Sequence, residues 1–501
     1  MSMLVNLVTN FDMSIVLTAS CAFVFILYYW YKRPRNFPPG PRGIPLLGMV
    51  PFLGKHTEKD FRKWSKKYGP MMSVRLGQND WIVLGDHKTI NECLVKGGNS
   101  FSGRPDHPVF KQVTKNHGVA MVDYGDHWKV QRRFGLTTLR GFGVGKRGME
   151  DRIVEEIAYL NNAIRSNNGK PFDIAELMAN GVSNNISSIV MGQRMDYNDE
   201  IFKTLSKKAP NRLYLVTYSW LYVYNSDTIG KITKLVLYMP FLRNLLFLFL
   251  SKPKEAIVNW VSQHKSTYDE HNVRDFIDAF IGEQKKETDV SFTDLQLIQY
   301  VRDLYVAGTE TTTGTLRWAV LCLVHHPEKQ NKLRKEIFDV IGREKTPSMK
   351  DKAQMPYTCA FMQELFRFRT LAPLGVPHKI SNDVQVQGWS IPKGTWLVCN
   401  LWAVHNDPDV WDEPSKFKPE RHLDEKGNFV QSKYVMPFSV GPRHCLGEQL
   451  ARMEIFIFLV SMVQKFEFLP DPNEPRLSEV QQGVSGFMCV PHPFKQIAKE
   501  V

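Results

Sequence analysis

The 501-residue chain has few cysteines for its length, seven in all, and no two of them form a CxxC pair. Cys21, Cys93, Cys322, Cys359, Cys399, Cys445 and Cys489 lie far apart, and their number is odd. This spacing argues against a disulfide framework and a structural zinc site, and the missing CxxCH motif excludes c-type haem attachment. Unpaired thiols fit a reducing compartment. Internal repeats and low-complexity stretches are also missing. With 43% hydrophobic and 23% charged residues the composition is that of a globular chain, long enough for one large domain that buries a big apolar cofactor.

A long basic run is missing too. Lys+Arg number 64 against 51 Asp+Glu, a net charge of +13, yet the cations are scattered, with short pairs such as Arg132-Arg133 and Lys207-Lys208. Nucleic acid is therefore a poor partner. An anionic membrane or an acidic protein suits the surplus better.

Charge is absent from Met13 to Tyr31 (MSIVLTASCAFVFILYYWY). A spanning helix needs roughly 17–25 such residues. Asp12 precedes the stretch, and Lys32, Arg33 and Arg35 follow it, a bias that puts the bulk of the chain on the cytoplasmic side. Trp30 and the neighbouring tyrosines suit an interfacial belt. A cleaved signal peptide would want a positive n-region, which is lacking, and a mitochondrial presequence would be basic and Ser-rich. The expectation is an anchor over residues 1–33, spanning at 13–31, in the endoplasmic reticulum membrane. A proline-rich hinge then covers 34–45, where Phe37-Pro38-Pro39-Gly40-Pro41 holds the backbone extended. One catalytic domain fills 46–501.

Within that domain Met71–Leu76 and Trp81–Leu84 read as strands around a Gly77–Asp80 turn, and helical periodicity dominates from about 150 to 370. Short strands return near 376–400, and a last long helix follows Gly447 to about Lys465. The fold class expected is mostly α with a minor β-sheet. Leu235–Leu250 (LVLYMPFLRNLLFLFL) is apolar enough for either a core helix or a monotopic contact with a bilayer. Gly143-Val144-Gly145-Lys146-Arg147-Gly148 matches GxGxxG but follows TTLRGF, not a buried strand, so it reads as a basic loop rather than a dinucleotide site.

The chemistry concentrates in Phe438-Ser439-Val440-Gly441-Pro442-Arg443-His444-Cys445-Leu446-Gly447. Gly441 and Gly447 permit a tight turn and close approach of a flat ligand. Cys445 stands at the N-terminus of an apolar helix, where free amides and the helix dipole favour a thiolate. A lone cysteine is more often an inert core residue, and His444 is a rival ligand type on the same loop.

This stretch resembles the FxxGxRxCxG haem-binding signature of the cytochrome P-450 family at every defining position. The resemblance implies a haem b cofactor with Cys445 as axial ligand to its iron, a thiolate whose electron donation promotes O–O cleavage. Phe438, Gly441 and Gly447 complete the haem loop. Ala307-Gly308-Thr309-Glu310-Thr311-Thr312 resembles the family's oxygen-activating helix segment, which implies that Thr311 and Glu310 relay protons. There, threonine hydroxyls bonding back to carbonyls are expected to open the helix locally. Glu364 and Arg367 match its ExxR pair, joined by Arg421 in a structural network. His422 departs from the family's usual phenylalanine. The run from Ala403 through His405, Pro408, Trp411 and Phe417 to Pro419 also follows the pattern.

The same resemblance implies haem propionate partners in Arg104, Trp128, Arg132, His378 and Arg443, which supply cationic and N–H donors. Phe110, Val113, Ala307, Leu374, Val376 and Phe487 are expected to face a lipophilic substrate. The likeness runs from about Pro38 to Pro493 and is strongest to the animal microsomal family 2 clan. It implies an NADPH- and O2-dependent monooxygenase acting on a steroid, fatty acid or xenobiotic. Electrons would come through NADPH-cytochrome P-450 reductase, docked on a basic face with Lys129, Arg133 and Lys433, and cytochrome b5 is a further expected partner. An isomerase or dehydratase of the same family, or a haem carrier without turnover, is the alternative; the retained Glu310-Thr311 pair speaks against both.

Overall fold

Proline and glycine mark many of the boundaries in the structure, a computed structural model that describes residues 13–45, 47–106, 111, 114–145, 147–199, 202–203, 255–474, 483–484 and 486–501. Helix α1 is Met13–Tyr31. Then come α2 (Thr57–Tyr68), α3 (His87–Asn91), α4 (Asp126–Gly141), α5 (Arg147–Arg165) and α6 (Ala175–Val190). The second half carries α7 (Phe276–Lys286), α8 (Asp294–His325), α9 (Pro327–Val340), α10 (Pro356–Phe368), α11 (Leu401–His405) and α12 (Glu448–Lys465). Pro327 and Pro356 open α9 and α10, where a missing N–H costs nothing. The Thr293 hydroxyl accepts the Gln296 amide and caps α8. At 32 residues, α8 is about 48 Å long and forms the axis of the fold.

The strands are β1 (Met71–Leu76), β2 (Asn79–Leu84), β3 (His378–Lys379), β4 (Val384–Val386), β5 (Trp389–Ile391), β6 (Trp396–Cys399), β7 (Phe466–Pro470) and β8 (Gln496–Glu500). One sheet has the order β1-β2-β6-β3, and two hairpin-like pairs, β4-β5 and β7-β8, stand apart. Strands β2 and β6 run parallel with Trp81 opposite Trp396, which brings residue 80 and residue 400 together. The fold is thus mostly α with a minor sheet, as the patterning predicts.

The main core lies among α5, α6, α8, α9, α10 and α12. Helix α12 is buried almost all round from Leu450 to Gln464, as a core helix must be when apolar side chains circle it. Its one inward acid is Glu454. Helix α6 crosses α8 closely: a Cβ on Gly308 would meet Ile186 Cδ1 at 2.5 Å. A side chain at Gly308 would make Ile186 shift, and α8 continues through this glycine without a break, where the sequence suggested an opening.

The proline segment is extended, as expected, and it is also docked. The Ser73 amide donates to Pro39 O at 2.8 Å, Ser73 Oγ to Pro38 O at 2.6 Å, and Arg33 reaches Asp80, Gly40 and Pro41. Gly143 and Gly145 have positive φ and make a turn between α4 and α5, and no strand precedes them among the described residues. The Leu235–Leu250 segment lies outside the described residues. The α1 side chains at 13, 14, 26, 27 and 29–31 do too, and among the described residues no helix is long and apolar enough to cross a membrane.

Candidate active site

The cysteine loop is built by its backbone. Gly441 has φ +79°, and a Cβ there would lie 2.0 Å from Leu94 O, so no other residue fits. Gly447 differs: its φ is −94° and open space surrounds the place of a side chain, so protein neighbours do not demand a glycine. The Cys445 amide donates to Phe438 O at 3.0 Å, closing the loop. The Phe438 ring stands edge-on to Phe366, 5.6 Å away, under the Arg452 guanidinium. His444 is exposed, and its Nδ1–H donates to Gly441 O at 2.9 Å, which turns the rival ligand away.

Cys445 keeps accessible surface although protein surrounds it on most sides. Burial pushes its thiol up, against the Gly447 N–H, Arg132 and Arg452, which lower it. The amide at the helix N-terminus favours the thiolate, as the sequence suggests, and burial opposes it. A cation bound at sulfur would ionise the thiol outright.

A buried network holds that loop from behind. Arg367 forks onto Glu364, Nε to Oε2 at 2.8 Å and Nη2 to Oε1 at 2.7 Å, with both side chains fully buried. Burial would raise the Glu364 carboxyl, but the hydrogen bonds from Arg367 and His422 outweigh it and hold it at about 2. Arg421 Nε adds a contact to Glu364 at 3.2 Å. His422 takes the place of the expected aromatic ring without disturbing the site. Gln363 donates to its Nδ1, its Nε2–H donates to Glu364 at 3.0 Å, and its ring packs on Trp411. Arg367 Nη1 also donates to His405 O at 2.8 Å.

Cations gather on the loop at residues 118–123. Arg443 donates to Ser102 O and Val122 O, Arg104 to Ala120 O and Pro377 O, and Trp128 Nε1 to Val119 O. The Trp128 ring lies between the Arg443 and Arg132 guanidinium groups, 4.0 and 5.4 Å from its centroid. Arg132 Nη2 itself donates to His444 O at 2.7 Å. His378 Nδ1–H donates to Phe101 O at 2.7 Å, and burial, with Arg104 and Arg443 adding to it, keeps this ring neutral. Burial followed by Arg104 pushes Arg443 down to about 8, with Asp123 opposing. Such a cluster gains most from a bound anion.

On α8, Thr311 Oγ1 donates back to Ala307 O at 2.7 Å, the expected back-bond. Val306 and Ala307 keep accessible surface in mid-helix, between buried turns. Glu310 is buried, and burial, only partly offset by Arg317, raises its carboxyl to about 7. Leu374, Val376 and Phe487 are half-buried, whereas Phe110 and Val113 lie outside the described residues.

Two acids went unnoticed in the sequence. Asp303 accepts the Val119 and Ala120 amides at 2.8 and 3.0 Å and, with Gln296 gripping Gly118, ties the cationic loop to α8. Glu454 accepts from Asn185 at 2.9 Å and Thr312 at 3.4 Å, and burial raises it to about 8. A lone acid inside the otherwise apolar α12 was the available signal for the second.

The donor set fits haem. The Cys445 thiol keeps accessible surface, open space surrounds the Gly447 Cα, and the buried guanidinium groups of Arg104 and Arg443 suit two carboxylates. The comparisons with known proteins agree. A profile of the family described as Cytochrome P-450 matches residues 38–498. Cytochrome P-450 2C4 of Oryctolagus cuniculus is 38% identical over 482 residues, 96% of this chain and 98% of the relative. Cytochrome P-450 2J2 of Homo sapiens is 39% identical over 460 residues, 91% of this chain and 90% of the relative. Cytochrome P-450 2U1 of Mus musculus is 36% identical over 505 residues, 94% of this chain and 92% of the relative. Loop geometry, cation cluster and these matches converge: this chain belongs to the cytochrome P-450 family of haem-thiolate monooxygenases.

Proposed function

We propose that this protein is a membrane-anchored, NADPH-dependent monooxygenase that hydroxylates a lipophilic small molecule, of the steroid, fatty acid or xenobiotic class. The observation that carries the reading is Cys445, enclosed by protein and still accessible, at the start of α12. Haem b bound to this sulfur would supply the oxygen-activating chemistry. Phe438, Gly441 and Gly447 would shape the loop against the porphyrin, and Arg104, Arg443, Trp128 and His378 would hold the propionates. Arg132 would join them by turning from His444 O.

Glu310 and Thr311 would deliver protons to the oxygen side. A carboxyl raised to about 7 by burial is half protonated near neutrality, which suits a group that both gives and takes a proton. Ala307, Leu374, Val376 and Phe487, with Phe110 and Val113, would wall the substrate pocket, and their apolar character suits a lipophile.

The anchor would be residues 1–33 with α1 spanning, followed by the hinge at 34–45 and the catalytic domain at 46–501 on the cytoplasmic face of the endoplasmic reticulum. Electrons would come from NADPH through the flavoprotein reductase, with cytochrome b5 as a further donor. The test is reconstitution with reductase and a panel of steroids, fatty acids and drugs. Substrate-stimulated NADPH consumption with an oxygenated product is expected. A ferrous carbonyl spectrum without the thiolate-type red shift would sink the proposal.

A further inference from the structure

The face of α8 that carries Glu310 also carries Thr313 and Arg317, at i, i+3 and i+7. All three are more than nine-tenths buried, with 8, 5 and 9% of their surface exposed. Glu310 Oε1, Thr313 Oγ1 and Arg317 Nε each lie buried with no hydrogen-bond partner in the protein. Buried polar groups are almost always bonded, to ordered water where no protein group reaches. Three in register over about 10 Å of helix make a polar stripe. Gly314 sits within it, flanked by the apolar ends of Leu371 and Val490, so neither wall offers a bonding partner there.

The stripe has a surface end. Arg317 Nη2 donates to His492 O at 3.3 Å, and its guanidinium is drawn by Asp173, an exposed residue ahead of α6 whose carboxylate accepts the Ala175 amide. Of the charged groups around it, Glu310 feels Arg317, and Arg317 feels Asp173 and Glu310. Helix α6 presents a neutral hydroxyl, Ser183, to Thr309, and the C-terminal segment presents the Phe494 ring to Arg317. The inner end is Glu310, next to Thr311.

We propose that Thr313 and Arg317 line a hydrated proton route from the surface at Asp173 to Glu310, with Arg317 as the positioning residue at its outer end. The inference rests on reading Glu310 and Thr311 as the proton-delivering pair. Protonated Glu310 gives one proton towards Thr311 and regains one relayed through water beside Thr313, and each proton delivered is matched by one entering from bulk solvent past Arg317, so the water ends neutral. Arg317 stays protonated throughout, so no charge accumulates. Its cation keeps Glu310 from holding its proton too tightly and orients the water next to it.

The experiment uses full-length enzyme with reductase and compares Arg317→Met, Arg317→Lys and Thr313→Val. Without turnover, the infrared band of the protonated Glu310 carboxyl is identified by its loss in Glu310→Gln and titrated. Its midpoint is expected at about 7 in the parent protein and about one pH unit higher in Arg317→Met, with Arg317→Lys staying near the parent. During turnover, peroxide released per NADPH is expected to rise several-fold in Arg317→Met and Thr313→Val, and lysine should restore it. An unmoved carboxyl midpoint together with parental peroxide release overturns the route. Should Arg317→Met not fold, Thr313→Val decides alone, and parental peroxide release there overturns it. A parent enzyme that makes no product and lacks the thiolate-type carbonyl band would instead remove the reading beneath.

Discussion

The backbone N–H of Met436 donates to Nε2 of His405 across 2.9 Å, two residues before the cysteine loop begins at Phe438. This leaves His405 Nδ1 as the donor to Thr370 Oγ1 at 2.7 Å, while the His405 carbonyl accepts a hydrogen bond from Arg367 Nη1. Burial, with Arg367 adding to it, holds the ring neutral at about 3. One buried imidazole thus links the Glu364–Arg367 pair to the strand of backbone that presents Cys445.

His405→Phe keeps the ring volume and leaves the Met436 amide buried without an acceptor. The expected cost is about 1–3 kcal/mol. It should be read as a lower urea midpoint and as a smaller fraction of protein retaining haem with the red-shifted ferrous carbonyl band. A parental midpoint would mean that this bond does not support the loop.

Glu364 gives the acid limb of stability its shape. Its carboxyl is held at about 2 in the folded chain, against roughly 4.3 for an ordinary glutamate. Between those values the unfolded chain binds more protons, so stability rises with pH across that window and is lost as pH falls through it. Glu364→Gln should remove this slope and, by leaving Arg367 buried without its partner, cost about 3–5 kcal/mol at neutral pH. Unfolding followed from pH 5 down to the acid limit would measure both effects. An unchanged acid slope would place the linkage elsewhere.

The parts of the site that could be read from the sequence are those fixed by local backbone. Gly441 and the Cys445 turn, the Glu364–Arg367 helix pair and the Thr311 back-bond all act within a few residues of one another, so a short motif carries them. The parts that could not be read depend on chain segments far apart. Asp303 gripping the loop at Val119, His405 receiving Met436 and Arg317 facing Asp173 have no local pattern, because an acid or cation in a helix looks the same whether it faces water or a distant loop. The proline hinge was legible as extended, but its docking on β1 needed the partner strand. The upward push on the Cys445 thiol was illegible for a related reason: the depth of burial that opposes the helix end is a property of the assembled fold.

Glu454 sets the alkaline limb. Burial raises it to about 8, so between its unfolded value, roughly 4.3, and pH 8 the folded chain binds the extra proton. Stability therefore falls as pH rises through that window, by an amount on the order of a few kcal/mol. Glu454→Gln keeps the contacts to Asn185 and Thr312 in neutral form and should flatten the pH profile of unfolding over this range. A profile as steep as the parent's would assign the slope to another group.

The proposed reductase dock is open to a charge test. Lys129, Arg133 and Lys433 are exposed, and they differ in local neutralisation. The Lys129 ammonium pairs with Asp126 at 2.9 Å and lies over the Tyr124 ring, while Lys433 lies over the Tyr434 ring. An exposed pair is worth little in stability, so reversing any of these charges should leave the unfolding midpoint close to the parent's. Steering of an acidic reductase is different, because it sums over the face and works before contact. Arg133→Glu and Lys433→Glu should each raise the reductase concentration needed for half-maximal turnover. Lys129→Glu should do less, since Asp126 already cancels much of its field. High salt should erase the differences, because screening shortens the reach of every one of these charges. Equal reductase affinity and equal salt dependence in all three variants would move the dock to another face.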